Sequence, residues 1–133
     1  MLPIPNLLAV SPIPDWPLAQ RYAGLECPLY RIFGLLSRKW ALDALFYLSQ
    51  SNEPLRFQEL KRRVQKAAQI PLSTKELTAR LRELEAAGLV ERNAYDDIVP
   101  HVDYRLTPRA QSLMPHLKSL HGWLASESQL DGS

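Results

Sequence analysis

The chain has 133 residues, 46% hydrophobic and 23% charged, with a formal net charge of +2; that mix excludes a disordered chain, and the length leaves room for one sizeable core but not two. One cysteine excludes an internal disulfide framework and a cysteine-cluster zinc site, and no apolar run approaches the roughly 20 residues needed to span a bilayer. A reducing, cytoplasmic setting is expected, since Met1-Leu2-Pro3-Ile4-Pro5-Asn6, with no basic residue ahead of its apolar ones, makes a poor signal peptide.

Five of the eleven prolines fall in the first 17 residues, so residues 1–21 read as a Pro-rich arm with apolar spots at Leu7, Leu8, Val10, Ile13 and Trp16. Residues 22–129 form the folded domain. Its first helix begins at Cys27-Pro28, because proline suits the first helical position; Tyr30, Phe33 and Leu36 give it an apolar stripe. A second helix, about Lys39 to Ser49, is apolar nearly all round and is expected to be the central one. After the turn Ser51-Asn52-Glu53-Pro54, a short helix spans Phe57 to Val64, with Phe57, Leu60 and Val64 at i, i+3 and i+7. Ser73-Thr74-Lys75-Glu76 is a capping box that starts a helix running to Ala87, where Gly88 supplies a left-handed end. Two strands follow, Val90 to Tyr95 and Val102 to Leu106, around the loop Asp96-Asp97-Ile98-Val99-Pro100. Thr107-Pro108 caps a last helix, along which Leu113, Leu117, Leu120 and Leu124 make a long apolar seam beside Trp123.

The expected fold is therefore mainly α with a small β-hairpin. A short helix, a longer amphipathic helix and a hairpin, in that order, make a winged helix-turn-helix, whose second helix enters a DNA major groove while the hairpin lies beside it.

Charge supports that order. Residues 1–55 are net zero, residues 56–82 are net +6 and residues 83–133 are net −4. Positive charge gathered on one face is a footprint for a polyanion. On the capped helix, Leu77, Leu81 and Leu84 share one side, Lys75, Ala79 and Arg82 lie opposite, and Thr74 and Thr78 flank them. Arg and Lys donate to guanine, Thr contacts a base edge or a thymine methyl, and Ala79 lets the backbone approach the groove floor. Ser73 stands at the helix N-terminus, where free N–H groups suit a phosphate. Arg62 and Arg63 are candidates for phosphate contacts.

The segments Cys27-Pro28, Lys39-Trp40, Arg56-Phe57-Gln58-Glu59-Leu60, Leu77-Thr78-Ala79-Arg80-Leu81-Arg82-Glu83-Leu84-Glu85, Gly88-Leu89-Val90 and Pro100-His101-Val102-Asp103-Tyr104-Arg105-Leu106-Thr107 stand in one order over residues 26–125. Together they resemble the HxlR-type winged-helix transcriptional regulators of bacteria and archaea. The resemblance implies a homodimeric DNA-binding repressor or activator, of which the repressor is the preferred reading, with Ser73 to Ala87 as recognition helix and Arg92 to Arg105 as wing. It adds Arg56, Arg92, His101 and Arg105 to the DNA-facing set. It places the dimer interface on the terminal helices, at Tyr30, Phe33, Leu113, Leu117, Leu120, Trp123 and Leu124. Some members sense redox signals at the cysteine matching Cys27, which makes Cys27 the candidate sensor of thiol-reactive signals; a lone cysteine is otherwise a small buried hydrophobe. This chain departs from the family in three places that bear on the site. Gln65 to Leu72 is several residues longer than the usual turn, which either lengthens the preceding helix or alters the angle of the next. His101 replaces an arginine. Asp96-Asp97 at the wing tip would be repelled by phosphates.

No catalytic constellation is present, so an enzyme is not expected. His116 and His121 are five residues apart, too far around a helix for a metal pair, so neither metal nor cofactor is expected, and no small-molecule pocket is legible. The alternative reading is a winged helix used for protein–protein contact without DNA, whose recognition face would be apolar or acidic.

Overall fold

The structure is a computed structural model that describes residues 28–130. Two units divide the chain, Met1–Leu35 and Leu36–Ser133. The Pro-rich arm and Cys27 lie outside the described residues. Of the first unit the structure describes residues 28–35, most of helix α1, Pro28–Leu36, on which Tyr30 and Phe33 are exposed.

In the second unit the order is α2 (Ala41–Gln50), β1 (Leu55–Arg56), α3 (Phe57–Ala68), α4 (Thr74–Ala86), β2 (Val90–Tyr95), β3 (His101–Leu106) and α5 (Pro108–Leu130). Helix α2 starts two residues later than expected because Trp40 stands in the left-handed region at φ 78°, where a helix cannot run. Trp40 is the N-cap instead: its carbonyl accepts from the Ala44 N–H at 3.0 Å while its ring is buried. Helix α2 is central as expected, touching α3, α4, α5 and β3. It is not covered all round, however. Ala41, Ala44, Leu45 and Leu48 are buried, whereas Leu42 and Phe46 face outward.

Helix α3 continues past Val64 to Ala68, so the extra residues of the turn lengthen the helix. Gln69 ends it in the left-handed conformation at φ 57°, and the Gln65 side chain accepts from the Leu72 N–H at 3.1 Å. Leu72 is buried, which anchors the connection to α4. The capping box forms as read: the Ser73 hydroxyl accepts from the Glu76 N–H at 3.0 Å, and the Glu76 carboxylate accepts from the Ser73 N–H at 3.2 Å. That second bond is the main reason the Glu76 carboxyl lies below its usual range.

Helix α4 buries Leu77, Leu81 and Leu84. Its end is a Schellman motif, with the Leu89 N–H donating to the Leu84 carbonyl and the Gly88 N–H to the Glu85 carbonyl, each at 2.9 Å. The sheet has three antiparallel strands in the order β1-β3-β2. The two-residue β1 was absent from the sequence reading; it pairs Leu55 with Tyr104 and Arg56 with Asp103. A two-residue strand shows no alternation, and only the distant β3 defines it. Helix α5 runs 23 residues, about 34 Å, through Pro115. Ala110 and Met114 are buried and Leu113 and Leu117 half-buried, and beyond Leu117 the seam is exposed.

Gly88 sits at φ +78°, yet an added Cβ would meet only the Arg109 Cδ at 3.8 Å, an ordinary contact. Gly88→Ala should therefore cost about 1 kcal/mol through backbone conformation alone, read as a lower urea midpoint at unchanged slope. A larger loss accompanied by a changed slope would mean that the neighbouring packing also fails.

Candidate nucleic-acid interface

Three elements build this face. The exposed side of α4 presents Thr74, Lys75 and Arg82, with Ala79 and Thr78 half-buried between them, opposite the buried leucines as their spacing requires. The sheet beside it has two faces, because successive side chains alternate. In the β2–β3 register Arg92 pairs with Tyr104 and Ala94 with Val102, on the face turned toward α4. Glu91 with Arg105, Asn93 with Asp103 and Tyr95 with His101 lie on the other face. Between α4 and the sheet is a groove of about 490 Å³ lined by Thr78, Arg82 and Glu85 of α4, Arg92 of β2, and Phe57, Val102 and Tyr104. The sequence reading named no such space. Its lining on α4 follows helical spacing from Thr78 through Arg82 to Glu85, so Glu85 was within reach of the pattern; the aromatic floor was not.

The structure thus gathers Thr78, Arg82 and Arg92, and sets Arg56, His101 and Arg105 apart from them. Arg56 pairs with Asp103 across the strands on the far face. Arg105 is held there by Glu91, with two contacts of 3.2 Å. The His101 ring stacks on Tyr95 at 4.7 Å between centroids, and its Nδ1 lies 3.9 Å from an Asp97 carboxylate oxygen. At the tip, Asp96, Asp97 and Ile98 are exposed.

Carboxylates already hold much of the remaining positive charge. Glu59 accepts from Arg62 at 2.6 Å and from Arg63 at 2.7 Å. Those hydrogen bonds lower its pKa from the ordinary 4.5 to about 2. A depressed acid stabilises the fold above its ordinary value, so this contribution is present at neutral pH and is lost as pH falls from 4.5 toward 2. Glu83 likewise takes Arg80 at 2.8 Å and Arg38 at 3.3 Å. Lys61 donates to the Thr74 hydroxyl at 3.2 Å, joining α3 to the start of α4. The side chains of Arg82 and Arg92 have no hydrogen-bonding or ionic partner among the described residues, so the groove keeps two free guanidiniums. No described helix is long and apolar enough to cross a membrane.

Comparison with known proteins agrees with this architecture. Residues 35–131 match the family model described as HxlR-like helix-turn-helix. An uncharacterized HTH-type transcriptional regulator of Halalkalibacterium halodurans is 37% identical over 98 residues, which is 74% of this chain and 81% of that one. The solved structure of a MarR-family transcriptional regulator of Enterococcus faecalis superposes with a TM-score of 0.64 at 33% identity, covering 79% of this chain and 92% of the other. The redox regulator HypR in its reduced form superposes with a TM-score of 0.65 at 26% identity, covering 80% and 99%. The matched span begins one residue before the second structural unit and includes every element from α2 to α5. The chain is therefore a transcriptional regulator rather than an enzyme, and it belongs to the HxlR-like helix-turn-helix family.

Proposed function

We propose that the protein is a homodimeric, sequence-specific DNA-binding repressor acting in the cytoplasm. One observation carries the DNA reading: the free guanidiniums of Arg82 and Arg92 stand on opposite walls of the groove between α4 and the wing. Lys75, Thr78 and Arg82 would meet base edges in the major groove, with Arg92 directed to the flanking backbone. The basic face disfavours the alternative of a protein-binding winged helix. Repression is tested by transcription from the protein's own upstream region, which should rise when the protein is removed.

Arg82→Ala should weaken cognate duplex binding by about 1–3 kcal/mol, measured against a scrambled duplex at fixed salt. Glu59→Gln should act in the opposite direction. Releasing Arg62 and Arg63 should strengthen binding to any sequence and steepen the dependence of log K on log salt by about 1 per cation recruited. Wild-type binding that does not respond to salt would sink the DNA reading.

The dimer reading rests on α5. Leu120, Trp123 and Leu124 are 42%, 58% and 51% exposed. Leu120 and Leu124 line a groove of about 520 Å³ between α2 and α5 together with Leu42, Phe46 and Leu117. A contiguous apolar surface of this kind marks an interface, and a second copy related by a two-fold axis would cover both grooves at once. Tyr30 and Phe33 of α1 are also exposed, and the family resemblance assigns them to a dimer interface. Leu124→Glu, at an exposed position that the fold does not need, should give a monomer by light scattering and reduced affinity for a two-half-site duplex. A Leu124→Glu protein that remains dimeric would move the interface elsewhere.

Thiol control through Cys27 is a further part of this reading. It is supported by the family resemblance of Cys27-Pro28 and by the likeness to a redox regulator solved in reduced and oxidised forms. Oxidants or electrophiles should release DNA from the wild type and leave Cys27→Ser bound; equal release from both would remove Cys27 from the mechanism.

A further inference from the structure

Three hydroxyls stand along the first two turns of α4, at Ser73, Thr74 and Thr78, and their surroundings differ. The Ser73 hydroxyl is engaged in the capping box, where it accepts from the Glu76 N–H at 3.0 Å. The Ser73 backbone N–H, and to a smaller extent that hydroxyl, hold the Glu76 carboxyl below its usual range. The Thr78 side chain has no hydrogen-bonding partner among the described residues. The Thr74 hydroxyl oxygen accepts from the Lys61 ammonium at 3.2 Å, across the connection from α3 to α4. Lys61 is half-buried on α3, whereas Thr74 is the exposed first residue of α4, and its hydroxyl donates to nothing among the described residues.

A hydroxyl has one donor and two acceptor sites, and a free one rotates to suit whatever it meets. Thr78 is such a rotor. At Thr74 a cation already donates into the oxygen. That bond strengthens the outward O–H as a donor, and the positive charge behind it opposes a second donor approaching the same oxygen. Of the three ammonium N–H groups, one is on Thr74 and two remain. The Lys61–Thr74 pair therefore offers a ligand hydrogens and positive charge.

Base edges in the major groove divide along this line. Guanine presents the O6 carbonyl and thymine the O4 carbonyl, where adenine and cytosine present the N6 and N4 amino donors. The N-terminal residues of a recognition helix are the ones that reach these edges. We propose that Lys61 and Thr74 act as one specificity-determining pair, which selects guanine or thymine over adenine or cytosine at one position of the bound sequence. Thr74 makes the contact, and Lys61 is the positioning residue that keeps its proton turned outward. The proposal rests on the DNA reading above and names what this end of the helix reads.

The test selects duplexes from a randomised library with the full chain. Affinities are then measured at fixed salt for the enriched duplex and its single-base variants. One position should bind guanine or thymine about tenfold more tightly than adenine or cytosine. Thr74→Val removes the hydroxyl and keeps a methyl group; it should abolish the preference at that position and leave the other positions unchanged, while Thr74→Ser should retain it. Lys61→Met should reduce the same preference to about twofold or less and also weaken every duplex, because a cation is lost. Lys61→Arg should restore both. A merely structural role, or a contact to phosphate, would weaken all sequences alike and leave the base preference in place. Melting temperatures check that each variant is folded, and the wild-type preference is read without any substitution. A wild-type protein that selects adenine or cytosine at every position it discriminates would overturn the proposal. So would a Thr74→Val protein with the wild-type preference, which a thymine chosen by methyl contact alone would produce. So would a Lys61→Met protein that loses affinity uniformly with its preference intact. In each of these cases the DNA reading stands. A wild-type protein that enriches no sequence overturns both.

Discussion

The structure turns on one junction, where the end of α4 meets the start of α5. Gly88 adopts the positive φ that lets the backbone reverse, and the Leu84 and Glu85 carbonyls receive the N–H groups that follow. Thr107 then binds both sides: its hydroxyl donates to the Gly88 carbonyl at 2.6 Å and accepts from the Ala110 N–H at 3.1 Å, while its own N–H donates to the Leu89 carbonyl at 3.1 Å. A single residue thus binds the end of α4, caps α5 and joins the far ends of the hairpin. Leu84 and Leu89, the residues flanking the reversal, are both fully buried, so the junction is held by apolar packing as well as by hydrogen bonds. The angle between α4 and the sheet follows from it, and the groove between them follows from that angle.

Charge is the second organising principle. The basic stretch is a set of cations sorted by carboxylates. Glu59 and Glu83 each hold two arginines, and Glu91 holds Arg105 on the far face of the sheet. These exposed pairs add little to stability; what they do is fix which cations are spoken for. Arg82 and Arg92 are left on the two walls of one groove, where a negatively charged partner finds guanidiniums that no carboxylate holds among the described residues. Net charge summed over a window counts all of these arginines alike, although they are not equally available.

The long helix α5 divides into a buried and an exposed part along its length. Its first turns seal the domain through Ala110 and Met114, and its remainder carries the exposed side of the leucine seam beyond what one domain covers. Leu42 and Phe46 of α2 extend that uncovered surface. A helix that is apolar nearly all round in sequence can be buried on all sides or on one, and α2 is buried on one: Ala41, Ala44, Leu45 and Leu48 are core, and the side of Leu42 and Phe46 is open.

Local chemistry was legible in the sequence because it is written in adjacent residues. The capping box at Ser73 and Glu76, the left-handed stop at Gly88, the cap at Thr107 and the leucine spacing of α4 each depend on side chains within one or two turns, and all appear in the structure as read. Element order, and with it the winged-helix fold, followed from these signals. Tertiary structure alone decided whatever depends on residues far apart in the chain. Strand β1 exists because β3 lies beside Leu55 and Arg56. Trp40 leaves the helix and takes a left-handed conformation with its ring in the core. Strand register put Arg92 on the groove side and Arg105 on the other, a difference of parity that composition cannot express. The pairing of Arg62 and Arg63 with Glu59 was open to helical spacing, but the freedom of Arg82 and Arg92, and the aromatic floor between them, required α3, α4 and the sheet to be brought together in space.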